Sequence, residues 1–423
     1  MRESYSFSSF EWEPSVGIAL PGAYGGTDFN NRGEKARTNL IETTDRFLYL
    51  QAGLWFQFGK FGINATADQL RYTVDAREPN TPSLSLAMTR MHLVGAYSLL
   101  GNQLCIGGGV RGVFVNIDEV DTDNGSVITM LGVAPEVGVI VKPDDVPWRI
   151  GATGRYGVNA GPFDFGFLER RTESGQTQDI KYAGKFILPD RITQPWELEA
   201  GVAYQLGPRP LNPAWIDPHD HEEQLKKEIE RARLERVALH RAEIASMPAA
   251  TYEEVAAREL RIARIAAEEE DIHEEEEKRL HEASDRLSEE RRARYLNWPR
   301  ERVLLLASLI LIGPRGEDRT VALEGFINQE LERVGSSVSI APRVAVESEP
   351  IPNWLKLRTG FYFEPSRFSD GTYRQHFTFG GDVKLFPWDV FGILPRAQTW
   401  RLGAFLDIAP RYQNFGFAIG AWH

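Results

Sequence analysis

Four arginines are placed to hold a carboxylate. Arg111, Arg155, Arg343 and Arg358 each fall mid-run where apolar and polar residues alternate, on the polar side of the alternation. A guanidinium there can grip a carboxylate through two parallel hydrogen bonds. Glu136, Glu347, Lys356, Asp382 and Lys384 share that polar side. The competing reading is therefore that Arg and Glu pair across neighbouring strands and stiffen a wall. Other chemistry is poorly provided for. His219-Asp220-His221 could bind a metal, but no third ligand stands close in sequence. Cys105 is alone, so neither an internal disulfide nor a cysteine-based metal site is available. No Ser-His-Asp spacing, glycine-rich phosphate loop or HExxH helix occurs. A hydrolase with a dispersed triad stays open. The expectation is a protein that is not an enzyme and holds no cofactor.

The elements that must carry these arginines are strands. From Phe47 to Phe58 one face reads Leu48, Leu50, Ala52, Leu54, Phe56, Phe58, and the other Phe47, Tyr49, Gln51, Gly53, Trp55, Gln57. A period of two with one apolar face is a strand. Gly59-Lys60 turns the chain, and Phe61, Ile63, Ala65 and Ala67 continue the pattern as a hairpin. The same grammar recurs around Gly101-Asn102, Lys142–Asp145, Pro350–Asn353 and a longer turn after about residue 386. Longer polar loops, such as 21–39 and 169–185, join one hairpin to the next. Short turns alternating with long loops characterise outer-membrane barrels. Counting gives about fourteen strands, from Phe10–Leu20 to Asn414–Trp422. The last strand alternates Phe415, Phe417, Ile419 and Ala421 with Gly416, Ala418 and Gly420. This resembles the terminal signal read by barrel-assembly machinery, with His423 after Trp422 as a departure.

Composition permits this reading. Mean hydropathy is −0.34, and the longest apolar run, Val303–Ile312, is half of what a membrane helix needs. Barrel strands average to middling hydropathy because they alternate. A β-sandwich is the soluble alternative, but its strands are shorter than the ten or more residues seen here. The net charge of −12 excludes a nucleic-acid binder of the ordinary basic kind. The chain opens Met-Arg-Glu-Ser-Tyr, without the cationic start and apolar core of a signal peptide. For an exported barrel this implies a mature or truncated form with Met1 added.

Between Pro218 and Pro299 glycine vanishes and Glu, Arg, Ala and Leu take over. Asp217-Pro218 supplies a helix start, and Met247-Pro248-Ala249-Ala250 breaks the helix at about Ser246. Thr251-Tyr252-Glu253-Glu254 is a capping box for a second helix to about Tyr295. Leu225 and Ile229, Ile265 and Ile272, and Leu280 and Leu287 suggest a thin coiled-coil seam. The hairpin is read as either a solvated spacer or a docking arm. It joins the eighth and ninth strands, a junction of the short-turn kind, and is expected in the periplasm.

Four stretches carry a resemblance. They are Leu188-Pro189-Asp190 followed by Trp196–Tyr204, Ile150–Tyr156, Ala341–Glu347, and Trp354–Ser366. In order and spacing they resemble the FadL-type long-chain fatty acid transporters of the outer membrane, over most of the chain from about residue 90, the hairpin excepted. The resemblance implies a fourteen-stranded barrel and passage of long-chain fatty acids or other hydrophobic compounds, with lateral release through the wall. It also departs from the family. Nothing before Phe10 is long enough for the N-terminal hatch, and the hairpin is not a usual family feature.

The resulting expectation is an all-β, antiparallel transmembrane barrel in the outer membrane of a Gram-negative-type bacterium. Residues 1–213 form its first eight strands, 214–299 a charged helical hairpin, and 300–423 the last six. The first functional reading is a channel for hydrophobic small molecules, in contact with membrane lipids, with Arg111, Arg155, Arg343 and Arg358 as candidate ligand contacts. The second is a barrel that anchors envelope machinery through a periplasmic partner bound at residues 217–295. Val303–Ile312, apolar on both faces, is expected either to line a groove or to pack against a plug or partner.

Overall fold

The computed structural model describes residues 10–25, 41–42, 47–74, 84–120, 126–162, 182–183, 186–187, 192–214, 218–299, 301–314, 335, 337–365, 373–389, 391, 398–410 and 412–422. The chain divides into two compact units, one built on Trp215–Trp298 and one holding most of the strands.

Among the described residues, fourteen strands form the wall of the second unit. They are β1 (Phe10–Gly25), β2 (Phe47–Phe58), β3 (Phe61–Val74), β4 (Leu84–Leu99), β5 (Leu104–Glu119), β6 (Ser126–Val141) and β7 (Trp148–Arg155). After these come β8 (Glu197–Leu206), β9 (Val303–Ile312), β10 (Ser339–Ile351), β11 (Leu355–Pro365), β12 (Tyr373–Trp388), β13 (Gln398–Ala409) and β14 (Tyr412–Ala421). Each pairs with its neighbours in sequence, and β14 returns to β1 with Ser15 opposite Gly420. The sheet is therefore a closed antiparallel barrel, in agreement with the strand count from sequence. Closure removes the two edges that an open sheet would leave with unpaired backbone groups. Most wall strands have ten or more residues, enough to cross a bilayer when tilted.

The pleat sorts the faces. On β8, Leu198, Val202, Tyr204 and Leu206 point outward and are exposed, while Glu197 and Gln205 point inward and are buried. On β14, Phe415, Phe417 and Ile419 face outward. Outward positions elsewhere carry Val133, Val137, Phe377 and Phe379. A closed wall with apolar side chains outside and charge inside is built for lipid rather than water.

One strand pair differs from the expected straight course. The strand anticipated over about 148–160 breaks after Arg155, and Val158–Pro162 resumes with a shifted register against Met130 and Leu131. On the adjacent strand, Ile192–Gln194 stops before Pro195-Trp196, and β8 follows. The two short pieces pair with each other. Here the wall bends into the lumen. A Cβ on Gly132, which faces inward, would lie 2.8 Å from the backbone of Ala160, so only glycine leaves room for the fold-over. Val158 and Ala160 are fully buried, as are Val115, Ile117 and Met130 on the lumenal side of β5 and β6.

β8 ends and β9 begins at the rim that carries the short turns, with Leu206 opposite Val303 and Tyr204 opposite Trp148. The other unit contains α1 (Pro218–Ser246) and α2 (Tyr252–Leu296). At 1.5 Å per residue they are roughly 45 and 70 Å long. The capping box is formed. Glu254 N–H donates to Thr251 Oγ1 at 3.3 Å, and its carboxylate accepts from Thr251 N–H at 2.9 Å and Ala250 N–H at 2.8 Å. Between the helices charge outweighs apolar packing. Arg236 meets Glu276 at 2.7 Å and Glu269 at 3.6 Å, and Arg261 meets Glu243 at 2.7 Å. Leu225, Ile229, Ile265, Ile272 and Leu280 are half-buried around these pairs. Asp217 and Leu188–Asp190, both invoked from sequence, lie outside the described residues, as do the side chains of His219 and Asp220.

Candidate functional site

Fourteen strands enclose more space than side chains can fill. The lumen holds open space where the inward residues are small. Gly151 and Thr153 on β7, Gly201 and Ala203 on β8, Ser308 on β9 and Ala345 on β10 line a cavity of about 550 Å³. Leu306, Ile140 and the ring of Tyr362 give it apolar surface, and Arg149, Arg343 and Glu199 bring charge to it.

Register decides what each arginine can do. Arg111, on β5, reaches past β6 to the bend. Its Nε donates to the Tyr156 carbonyl at 2.9 Å and its Nη2 to the Pro195 carbonyl at 2.7 Å, with Glu197 3.8 Å away. It is almost wholly buried and clasps both broken strands. Arg155 sits among Glu136, Glu197 and Glu199 at 3.7, 3.4 and 3.2 Å. Arg358 lies between Glu347 at 2.6 Å and Asp382 at 2.7 Å. That pair extends a ladder running from Arg302 on Glu347 at 2.5 Å to Arg401 on Asp382 at 2.7 Å. Arg343 differs from the other three. Among the described residues it meets no carboxylate, and its guanidinium carbon stands 5.7 Å from the centroid of the Tyr362 ring. It is exposed to the lumen and lines the cavity.

The structure thus brings Arg343 to the cavity and leaves Arg111, Arg155 and Arg358 in ionic or carbonyl contacts along the wall. Sequence reasoning missed Arg149 and Tyr362. Arg149 donates to Asn212 Oδ1 at 2.5 Å and to the Leu211 carbonyl. Tyr362 was within a quoted motif, and its place opposite Arg343 follows from the β10–β11 register. Val303–Ile312 splits by face. Leu306 and Ser308 line the cavity, Ile310 and Ile312 are buried, and Leu305 and Leu309 face outward. Among the described residues, no group of three or more His, Cys, Asp or Glu side chains could hold a metal.

No protein-family model matches the sequence, and no curated protein does. Several solved structures are similar. The CymD monoaromatic hydrocarbon channel is 7% identical with a TM-score of 0.42, over 97% of this chain and 88% of that one. The Pseudomonas putida toluene transporter TodX is 10% identical with a TM-score of 0.44, over the same shares. A Pseudomonas aeruginosa FadL homologue is 8% identical with a TM-score of 0.45, over 98% and 90%. At these values no residue role is carried over from them.

Proposed function

We propose that this chain is a FadL-type channel in the outer membrane of a Gram-negative bacterium, passing long-chain fatty acids or other hydrophobic small molecules. The observation that carries the reading is the lumenal cavity, with small and apolar walls and two cations, Arg149 and Arg343, that meet no carboxylate among the described residues; Arg149 is held by Asn212 and the Leu211 carbonyl, whereas Arg343 rests only on the Tyr362 ring. Its volume falls in the range of about 300–1,000 Å³ common to ligand pockets. An apolar body would lie against Leu306, Ala203 and Tyr362, and a carboxylate head would accept two hydrogen bonds from Arg343. Arg155 and Arg358 serve the wall, and Arg111 holds its bend. That bend is the exit we assign, sideways into lipid. β9 ends at Ile312, the Gly313 N–H donates to the Trp196 carbonyl at 2.8 Å, and the indole lies so close that a Cβ on Gly313 would overlap it.

Native mass spectrometry of the barrel in mild detergent tests this. The wild type is expected to retain an acyl-chain or similar apolar molecule. Leu306→Asp, which puts charge in the cavity wall, is expected to lose it while staying folded. A folded wild-type barrel that never carries such a molecule sinks the reading.

The lumenal ladder Arg302–Glu347–Arg358–Asp382–Arg401 favours a second reading. In it the barrel is a stiff anchor, and the hairpin over 217–295 recruits a periplasmic protein. The same experiment separates the two, because an anchor has no reason to hold an apolar ligand.

A further inference from the structure

Tyr362 links Arg343 to a buried polar cluster that the transport reading has not used. Its ring stacks on His376, with centroids 4.3 Å apart and planes 13° from parallel. Its hydroxyl donates to Asp407 Oδ2 at 2.7 Å. His376, directly opposite it on β12, has no solvent exposure. The imidazole Nδ1 lies 2.9 Å from Asp407 Oδ1, and Nε2 lies 2.9 Å from Glu364 Oε2. Arg374 donates through Nε to Glu364 at 3.1 Å, and that nitrogen is also 3.0 Å from His376 Nε2. The Tyr412 ring stands 5.2 Å away on the remaining side. Among the described residues, these are the titratable and charged groups facing the imidazole: Tyr362 and Glu364 from β11, Arg374 from β12, Asp407 from β13 and Tyr412 from β14.

His376 Nε2 therefore has two uses. In the imidazolium it donates to Glu364 while Nδ1 donates to Asp407. In the neutral ring, with the proton on Nδ1, it accepts from Arg374 instead. With the imidazolium, two carboxylates and two cations balance. With the neutral ring the cluster carries one net negative charge, directly beneath the ring on which Arg343 rests. That charge draws the guanidinium down and repels an incoming anion.

We propose that Tyr362 and His376 are positioning residues for Arg343: His376 fixes the Tyr362 ring beneath the guanidinium, and its protonation sets how strongly Arg343 holds an anion in the cavity. The proposal rests on the reading of Arg343 as the anion anchor. Neither residue touches the ligand through its polar atoms, since those are spent on Asp407 and Glu364.

The test is binding of decanesulfonate, whose charge is constant with pH, to the full-length barrel in mild detergent between about pH 5 and 8, the interval in which imidazole titrates. The wild type is expected to bind about three- to tenfold more tightly at the acidic end, the size of a partly screened unit charge nearby. His376→Gln keeps a hydrogen-bonding side chain and should flatten the profile. Tyr362→Leu removes the platform and should weaken binding at every pH. Arg343→Gln should abolish it. If Arg343→Gln abolishes binding but the wild-type profile is flat, or His376→Gln leaves it unchanged, the positioning inference is overturned and the anchor stands. If Arg343→Gln binds like wild type, the anchor itself falls. The wild-type profile requires no variant to fold, so the proposal can fail on that measurement alone.

Discussion

At the scale of single residues, the lumen separates charges paired along the wall from Arg343, which meets no carboxylate among the described residues. Asp382 is nearly inaccessible and takes two guanidinium groups, Arg358 and Arg401, each at 2.7 Å. Removing its charge leaves Arg358 with Glu347 alone and takes the carboxylate from Arg401, and because both guanidinium groups are partly exposed the loss is about 1–3 kcal/mol. Asp382→Asn should therefore lower the denaturant midpoint for unfolding from lipid vesicles by a corresponding amount. Arg343→Gln removes no ion pair among the described residues and should leave that midpoint nearly unchanged. In sequence these arginines look alike, each mid-strand on a polar face. What tells them apart is cross-strand register, which brings Glu347 opposite Arg358 but Tyr362 opposite Arg343. Register is set by turns and by the partner strand, so composition and spacing along one strand could not reveal it.

At the scale of elements, regular alternation made the strands legible, and so did the turn residues. Gly59 and Gly101 adopt the left-handed backbone that short hairpins demand. The inward bend was not legible. Gly157 and Pro195 interrupt their strands, but lone breakers of this kind also occur at harmless bulges. The bend is held by Arg111, far away in sequence, donating to the carbonyls of Tyr156 and Pro195. A branched side chain at Gly132 would collide with the folded-over backbone of Ala160. Gly132→Val should thus straighten this part of the wall, read as new protease sensitivity or altered hydrogen exchange confined to residues 156–162 and 192–196. The capping box of α2 was read correctly because it is local. The N–H groups of Thr251 and Ala250 hold the Glu254 carboxylate below its usual range, and Arg261 does the same to Glu243. Groups with depressed values contribute stability above the ordinary carboxylate pKa of about 4.3, and it is lost as pH falls through the depressed value. The helical circular dichroism of the full chain, which among the described residues arises in α1 and α2, should therefore fray on acidification below about pH 4. Glu254→Ala should show less of that change.

At the scale of the molecule, the outside of the barrel and its insertion make independent demands. Phe379 points outward near the middle of β12 and is largely exposed. An arginine there faces hydrocarbon, at a cost of about 2–4 kcal/mol near the bilayer midplane. Phe379→Arg should reduce the yield or stability of barrel folded into vesicles by that amount. Deleting residues 217–295 should leave a folded barrel that still retains its apolar ligand if transport is the function of the wall. Loss of an envelope phenotype with ligand retention intact would direct attention to the hairpin.

The closing seam carries a consequence for how this chain reaches its native state. β1 and β14 meet as Ser15 against Gly420, residues from opposite ends of the sequence. Every other wall pairing is between strands that follow one another, so the sheet can grow one hairpin at a time. The hairpin insertion hardly slows this, since the entropy of closing a loop rises only logarithmically with length. The seam, however, waits for the last strand to be available. Until then the growing sheet has two open edges and an apolar face, a species prone to pair with other chains. Refolding should accordingly have one slow, late phase that is lost when β14 is truncated, and yield should fall steeply with protein concentration.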